Sequence, residues 1–149
     1  MKIPAKSEES LLAGWRTPTR RSTPFQLSKK SKARLDGVDK RLVALVEEIL
    51  HYIDVSVIEG LRSVATQKYY VSIGVSKTMR SKHLQGKAVD LYPYPVPRLS
   101  SGEIDSDAEC WDNLGRLGIV LSRRLGIPVQ WGGLWVSLVD KPHFEIKEN

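Results

Sequence analysis

Leu42, Leu45, Val46, Ile49, Leu50 and Ile53 recur at steps of three and four residues, a period that gathers them on one side of an amphipathic helix. Such a stripe must be buried against another element, and Asp39 stands before it as an N-cap. Glu47, Glu48 and His51 fall off the stripe, so His51 is expected to be solvated. Val55, Val57 and Ile58 then precede Gly60 as a β-branched strand ending near Arg62, and Ser63 suits the cap of a helix through Tyr70 that Gly74 closes. Residues 87–91, 128–131 and 143–147 read as further strands, with a helix over about 106–125. Helices and strands that do not strictly alternate predict an α+β domain with a small, largely antiparallel sheet flanked by helices.

A chain of 149 residues fits one domain. Residues 1–27 carry Gly14, three prolines and no clear period, so they read as an irregular basic lead-in to a domain over 28–149. Leu11, Leu12, Trp15 and Phe25 would attach the lead-in to the core. Cys110 is the only cysteine, which excludes an intrachain disulfide and reads as a small buried hydrophobe rather than a nucleophile. The first residues lack the apolar stretch of a secretory signal, and nowhere do ~18 apolar residues run together. Residues 1–41 hold eleven Lys/Arg against four Asp/Glu, which places the positive charge of the whole chain in its first third. Such a segment attracts polyanions without choosing among them, or serves only as a solvated surface.

Two segments carry chemistry. The stretch from Ser81 to Leu91 holds His83 and Asp90 seven residues apart, and Asp140-Lys141-Pro142-His143-Phe144-Glu145 follows some fifty residues on. Two imidazoles and a carboxylate are donors that zinc accepts at ~2.0 to 2.2 Å in tetrahedral geometry, with water in the fourth position of a catalytic site. A turn at Gly86 would bring His83 back beside Asp90, with His143 arriving from a neighbouring strand. Asp140 reads as a general base and acid or as a turn residue. Arg62 suits an oxyanion or a substrate carboxylate, and equally an ordinary surface position. Glu145 shares a strand face with His143, where it would orient a ligand or else end the domain in water. On spacing alone a metal site is one reading among others, since a lone His is more often structural.

The ordered set Ser81-x-His83-x-x-Gly86-x-Ala88-x-Asp90-Leu91 with Asp140-x-Pro142-His143-Phe144-Glu145 resembles the VanY-like metallopeptidases. That group contains D-alanyl-D-alanine carboxypeptidases and phage L-alanyl-D-glutamate endopeptidases. Leu35-x-Gly37-Val38, Glu59-Gly60-Leu61-Arg62-Ser63 with Gln67, Gly74-x-Ser76-Lys77-Thr78 and Trp131-Gly132-Gly133-x-Trp135 extend the likeness over about 28–146. The resemblance implies one Zn2+ held by His83, Asp90 and His143, with Asp140 as general base and acid and Arg62 stabilising the tetrahedral intermediate. It implies Ser81 and Gln67 lining the substrate cleft. Trp131 and Trp135 would be cleft-wall residues, although aromatic side chains at this spacing also suit a core. The implied fold is the small α+β fold shared by D-Ala-D-Ala peptidases and the hedgehog signalling domain. Leu134 departs from the family, which often has Asp there, and removes a polar contact from the cleft.

The function so implied is that of an endolysin, a peptidoglycan endopeptidase of phage or prophage type cutting between L-alanine and D-glutamate of stem peptides during host lysis. A D-alanyl-D-alanine carboxypeptidase or dipeptidase is the alternative enzyme. A zinc-containing wall-binding module without catalysis is the alternative of another class, and Asp140 and Arg62 argue against it. Nucleic acid is not an expected partner, because the basic residues are not interleaved with a reading module. The expected setting is synthesis in the host cytoplasm without a signal peptide, release through a holin, and action on the cell wall as a monomer.

Overall fold

The computed structural model describes residues 7–148. Strands β1 (Val55–Glu59), β2 (Ala88–Pro93), β3 (Val129–Trp131) and β4 (His143–Ile146) form one sheet in the order β1-β2-β4-β3, with every neighbouring pair antiparallel. Side chains alternate across a strand, so Val55, Val57, Val89, Leu91, Val129, Trp131, Phe144 and Ile146 point to one face, and all eight are buried. Fully burying an aliphatic or Phe side chain contributes about 1.5–3 kcal/mol, so this face drives assembly of the sheet.

Helices α3 (Lys40–Ile49) and α5 (Glu109–Leu125) complete that core. The expected stripe of α3 is buried through Leu42, Leu45, Val46 and Ile49, and Asp39 caps it by accepting the Arg41 backbone N–H at 2.9 Å. The helix stops at Ile49, and Ile53 packs on the core from the turn beyond. Helix α5 lies close on the sheet because two glycines face it. A Cβ at Gly115 would stand 2.5 Å from the Trp131 ring, and one at Gly118 would stand 2.3 Å from Phe144. Helix α4 (Val64–Ser72) is capped by the Ser63 hydroxyl, which accepts the Thr66 N–H at 3.1 Å.

Two short helices lie outside the sequence expectation. Helix α2 (Lys29–Arg34) covers the outer edge of β1: Ser31 Oγ accepts the Val57 N–H at 2.9 Å, and Arg34 Nη1 donates to the Val57 carbonyl at 3.0 Å. These contacts occupy backbone groups that an edge strand otherwise leaves open to pairing. Helix α1 (Glu8–Leu12) buries Leu11, and Arg116 Nε on α5 donates to the Leu11 carbonyl at 2.9 Å. Leu12, Trp15 and Phe25 pack on the same core. His51 is not merely solvated. Its Nδ1–H donates to the Arg21 carbonyl at 2.7 Å while its own carbonyl accepts the Arg21 N–H, so it fastens the lead-in to the end of α3.

Candidate active site

Strand register builds the polar face opposite the core. Asp90 of β2 lies across from His143 of β4 on one side and from Glu59 of β1 on the other. Glu59 reaches that face through a β-bulge: Val57 pairs with Leu91 and Glu59 with Asp90, so two residues of β1 match a single step of β2. Without the extra residue, Glu59 would follow Val57 into the core.

His83 arrives on a 3-10 turn over Lys82–Gln85, started by Ser81, whose hydroxyl accepts the His83 N–H at 3.2 Å. Gly86 ends the turn in the left-handed region at φ 69°, and a Cβ there would lie 2.2 Å from the Gly37 carbonyl oxygen. Only glycine meets both conditions. The His83 carbonyl accepts the Arg62 N–H at 2.9 Å, and His83 Nδ1 meets the Gly60 carbonyl at 2.7 Å. A carbonyl can only accept, so Nδ1 carries the proton and Nε2 presents a lone pair. Nε2 is buried with no hydrogen-bond partner, 3.3 Å from Asp90 Oδ1.

Asp90 Oδ1 lies in turn 3.0 Å from His143 Nδ1. Donor atoms at the corners of a tetrahedron around zinc, with bonds near 2.0 Å, stand about 3.3 Å apart. The three groups offer ligand atoms all within 4.8 Å of one another, so the residues present fit a metal ion. The second ring nitrogen of His143 meets Glu145 Oε1 at 2.8 Å, and Glu145 Oε2 accepts from Gln130 Nε2 at 2.8 Å. Glu145 is buried and orients the imidazole from behind, the arrangement by which carboxylates support histidine ligands.

His143 and the two carboxylates that flank it hold one another in their charged forms. Burial alone would raise the Asp90 pKa, but the hydrogen bond from His143 and the neighbouring His83 imidazole outweigh it and hold the carboxyl well below its ordinary range. Burial opposes the charged form of His143 as well, yet Asp90 and Glu145 lift its pKa to about 9. Glu145 is lowered against its own burial by His143 and Gln130.

Asp140 stands beside this cluster, with Oδ2 3.9 Å from His143 Nδ1 and a side chain 44% exposed. Its backbone N–H donates to the Gly132 carbonyl at 3.0 Å, which ties it to the Gly132-Gly133 turn. Burial, then the negative charge of Asp90, raises its pKa. Arg62 sits across the cluster. Its Nε donates to Glu59 Oε1 at 2.9 Å, its Nη1 to Gln67 Oε1 at 2.6 Å and to Ser81 Oγ at 3.4 Å, and its Nη2 also to Glu59. A guanidinium has five N–H donors, so one Nη2 hydrogen is left. The Tyr70 ring lies 4.8 Å from the guanidinium carbon.

Two expected cleft residues stand elsewhere. Gln67 is fully buried and its amide is spent on Arg62, Ser76 and Thr78, so it supports Arg62 rather than lining a cleft. Trp131 belongs to the core, 2% exposed, packed against Gly115 with its Nε1 donating to the Lys141 carbonyl. Trp135 does stand at the site, its ring 5.1 Å from that of His143. Leu134 packs on the core, a role an aspartate would not fill. Glu59 is the site residue whose position the sequence concealed, because strand alternation assigns it to the wrong face.

A model of the phage L-alanyl-D-glutamate peptidase family matches residues 23–148. The chain belongs to that family. The L-alanyl-D-glutamate peptidase of Escherichia phage T5 is 29% identical over 129 residues, which cover 83% of this peptidase and 90% of that relative. The L-alanyl-D-glutamate peptidase of Listeria phage A118 is 33% identical over 93 residues, 62% of this chain but only 30% of the longer relative. In the crystal structure of the Serratia marcescens L-Ala D-Glu endopeptidase ChiX, the same fold recurs with a TM-score of 0.70 at 35% identity, covering 82% of this peptidase and 90% of ChiX. The α+β architecture and the resemblance to VanY-like peptidases both stand.

Proposed function

We propose that this peptidase hydrolyses the L-alanyl-D-glutamate bond of peptidoglycan stem peptides with one zinc ion held by His83 Nε2, Asp90 Oδ1 and His143 Nδ1. The observation that carries the reading is the buried, unpartnered Nε2 of His83, aimed at the carboxylate oxygen that His143 also meets. A buried polar atom without a partner costs about 1–3 kcal/mol, and a bound cation removes that cost. Zinc held by these three residues would supply a nucleophilic water near neutral pH and a Lewis acid toward the scissile carbonyl.

Asp140 takes the proton of the attacking water and returns it to the departing amine of D-glutamate. Arg62 turns its remaining Nη2 hydrogen to the oxyanion of the tetrahedral intermediate, held in place by Glu59 and Gln67. Ser81 and Trp135 bound the cleft where the peptide lies. The catalytic unit is 28–149, and residues 7–27 of the basic lead-in strap its outer surface. No helix among the described residues is long and apolar enough to cross a membrane. In this reading the protein acts on the cell wall as a monomer and reaches it through a holin.

The test is digestion of purified peptidoglycan by the zinc-loaded protein and by Asp140→Ala, with and without chelator, and mass spectrometry of the released ends. New L-alanine carboxyl and D-glutamate amino ends, lost on chelation and in the variant, are expected. Released D-alanine instead would make the protein a carboxypeptidase, and an absence of cleavage on every wall type would make it a binding module.

A further inference from the structure

Tyr92 lies two residues beyond Asp90 on β2 and shares its face of the sheet. From there a cavity of about 400 Å³ runs to Asp140, between the loop carrying Ile104, Ser106 and Asp107 and the segment Val139 to Pro142. The Tyr92 ring meets Trp111 edge-on at 5.3 Å, and Trp111 Nε1 donates to the Asp105 carbonyl at 2.8 Å, which fixes the loop over the cavity. Ile104 and Val139 remain 37% and 55% exposed, so apolar surface faces the opening. Since Asp140 lines this space as well as the catalytic cluster, whatever fills the cavity is joined to the scissile bond.

Charge narrows the ligand. Residues 99–115 hold five Asp/Glu and no Lys or Arg, in a chain whose net charge is +6. Asp112 is matched by Lys141 at 3.2 Å and Glu109 by Arg116 at 2.6 Å. Glu103, Asp105 and Asp107 have no Lys, Arg or His within ion-pair distance among the described residues. Asp107 is exposed at the cavity and uses only its backbone N–H locally, on Asp105. An apolar-walled space with an unmatched carboxylate at its mouth suits an aliphatic chain that ends in an ammonium group.

We propose that this cavity is the subsite for the diamino acid that follows D-glutamate in the stem peptide. Its methylenes lie on Tyr92, Ile104 and Val139, and its ammonium meets Asp107. Lysine and diaminopimelate share this chemistry. The additional carboxylate of diaminopimelate falls to Lys141, in competition with Asp112. The assignment rests on the proposed L-alanyl-D-glutamate cleavage, which places the third residue one step beyond the leaving group.

The zinc-loaded protein would be given muramyl tripeptides, L-Ala-γ-D-Glu-X, with X as L-lysine, meso-diaminopimelate, norleucine or alanine, and cleavage between the first two residues followed by mass spectrometry. Replacing lysine by norleucine keeps the chain and removes the charge, and should lower kcat/KM by about fivefold, the range of a partly exposed ion pair. Alanine should lower it by about a further tenfold through lost methylene burial. Asp107→Asn should bring the kcat/KM of the lysine peptide down to that of the norleucine peptide. The relative rates for lysine and diaminopimelate report which of the two the subsite prefers. Equal cleavage of all four peptides, or an undiminished lysine preference in Asp107→Asn, would overturn the subsite. Failure to cut any tripeptide, or intact peptidoglycan, would overturn the cleavage reading and the subsite with it.

Discussion

At His83 the nitrogen that faces away from the cluster decides what the other can do. Its Nδ1–H is committed to the Gly60 carbonyl, so the lone pair of Nε2 is fixed toward Asp90 and His143. Glu59 plays the corresponding part for Arg62, taking two of its donors with one carboxylate oxygen while staying 3.9 Å from His83 Nε2. Glu59→Gln keeps the shape but gives up the charge that holds the guanidinium, and should lower kcat by roughly 10- to 100-fold, as loss of an orienting partner does elsewhere. Bound zinc, measured by atomic absorption, should stay at one per chain, and its loss would make Glu59 a metal-holding residue instead. His143 sets a pH dependence of its own. With its pKa at about 9 in the metal-free protein, it is protonated at neutral pH and must release that proton to coordinate. Zinc affinity should therefore rise by about tenfold per pH unit up to about 9 and level off above it, as measured by competition with a chromogenic chelator. A flat profile from pH 6 to 8 would mean that His143 releases no proton on binding, and so is either already neutral or not a ligand.

Among the elements, those with a period were legible and those set by three-dimensional fit were not. Helix α3, its Asp39 cap, the Ser63 cap of α4 and the four strands all follow from apolar spacing and turn residues. Helices α1 and α2 span five and six residues, too short for a stripe, and declare themselves only through contacts to α5 and to the edge of β1. The three side chains brought together as candidate metal ligands could be read from the motif, and the bulge that delivers Glu59 could not, because the adjacent apolar pair Val57-Ile58 reads as a buried strand end as readily as an inserted residue. Trp131 shows the same limit. Its ring enters the core because α5 offers Gly115 at the point of contact, a pairing between residues sixteen apart in sequence. Gly115→Ala improves helix propensity yet drives a Cβ into an indole already enclosed, so it should destabilise by about 1–3 kcal/mol in urea unfolding. An unchanged or raised midpoint would show that the indole moves aside at no cost.

On the scale of the whole molecule, the two faces of one sheet divide the labour. The face toward α3 and α5 is apolar and closed, whereas the opposite face gathers Asp90, His143, Glu145 and Glu59. Zinc would join three segments there, the turn of His83, β2 and β4, but none of the buried aliphatic side chains depends on it. Metal-free, the cluster still pairs a carboxylate held ionised with an imidazole held protonated, so removal of the ion leaves no lone buried charge at neutral pH. The protein should consequently remain folded when stripped of metal, unlike small domains whose metal is their core. Stability should fall only by the binding linkage, about 2.7 kcal/mol when free zinc stands at 100 times its dissociation constant. Urea unfolding followed in parallel by far-UV circular dichroism and tryptophan fluorescence, with and without chelator, checks this. Both probes should give one coincident transition that moves to lower urea on chelation, since the apolar face melts as a unit. Loss of helical signal on chelation without denaturant would mean that the ion, and not the apolar face, holds β2 against β4.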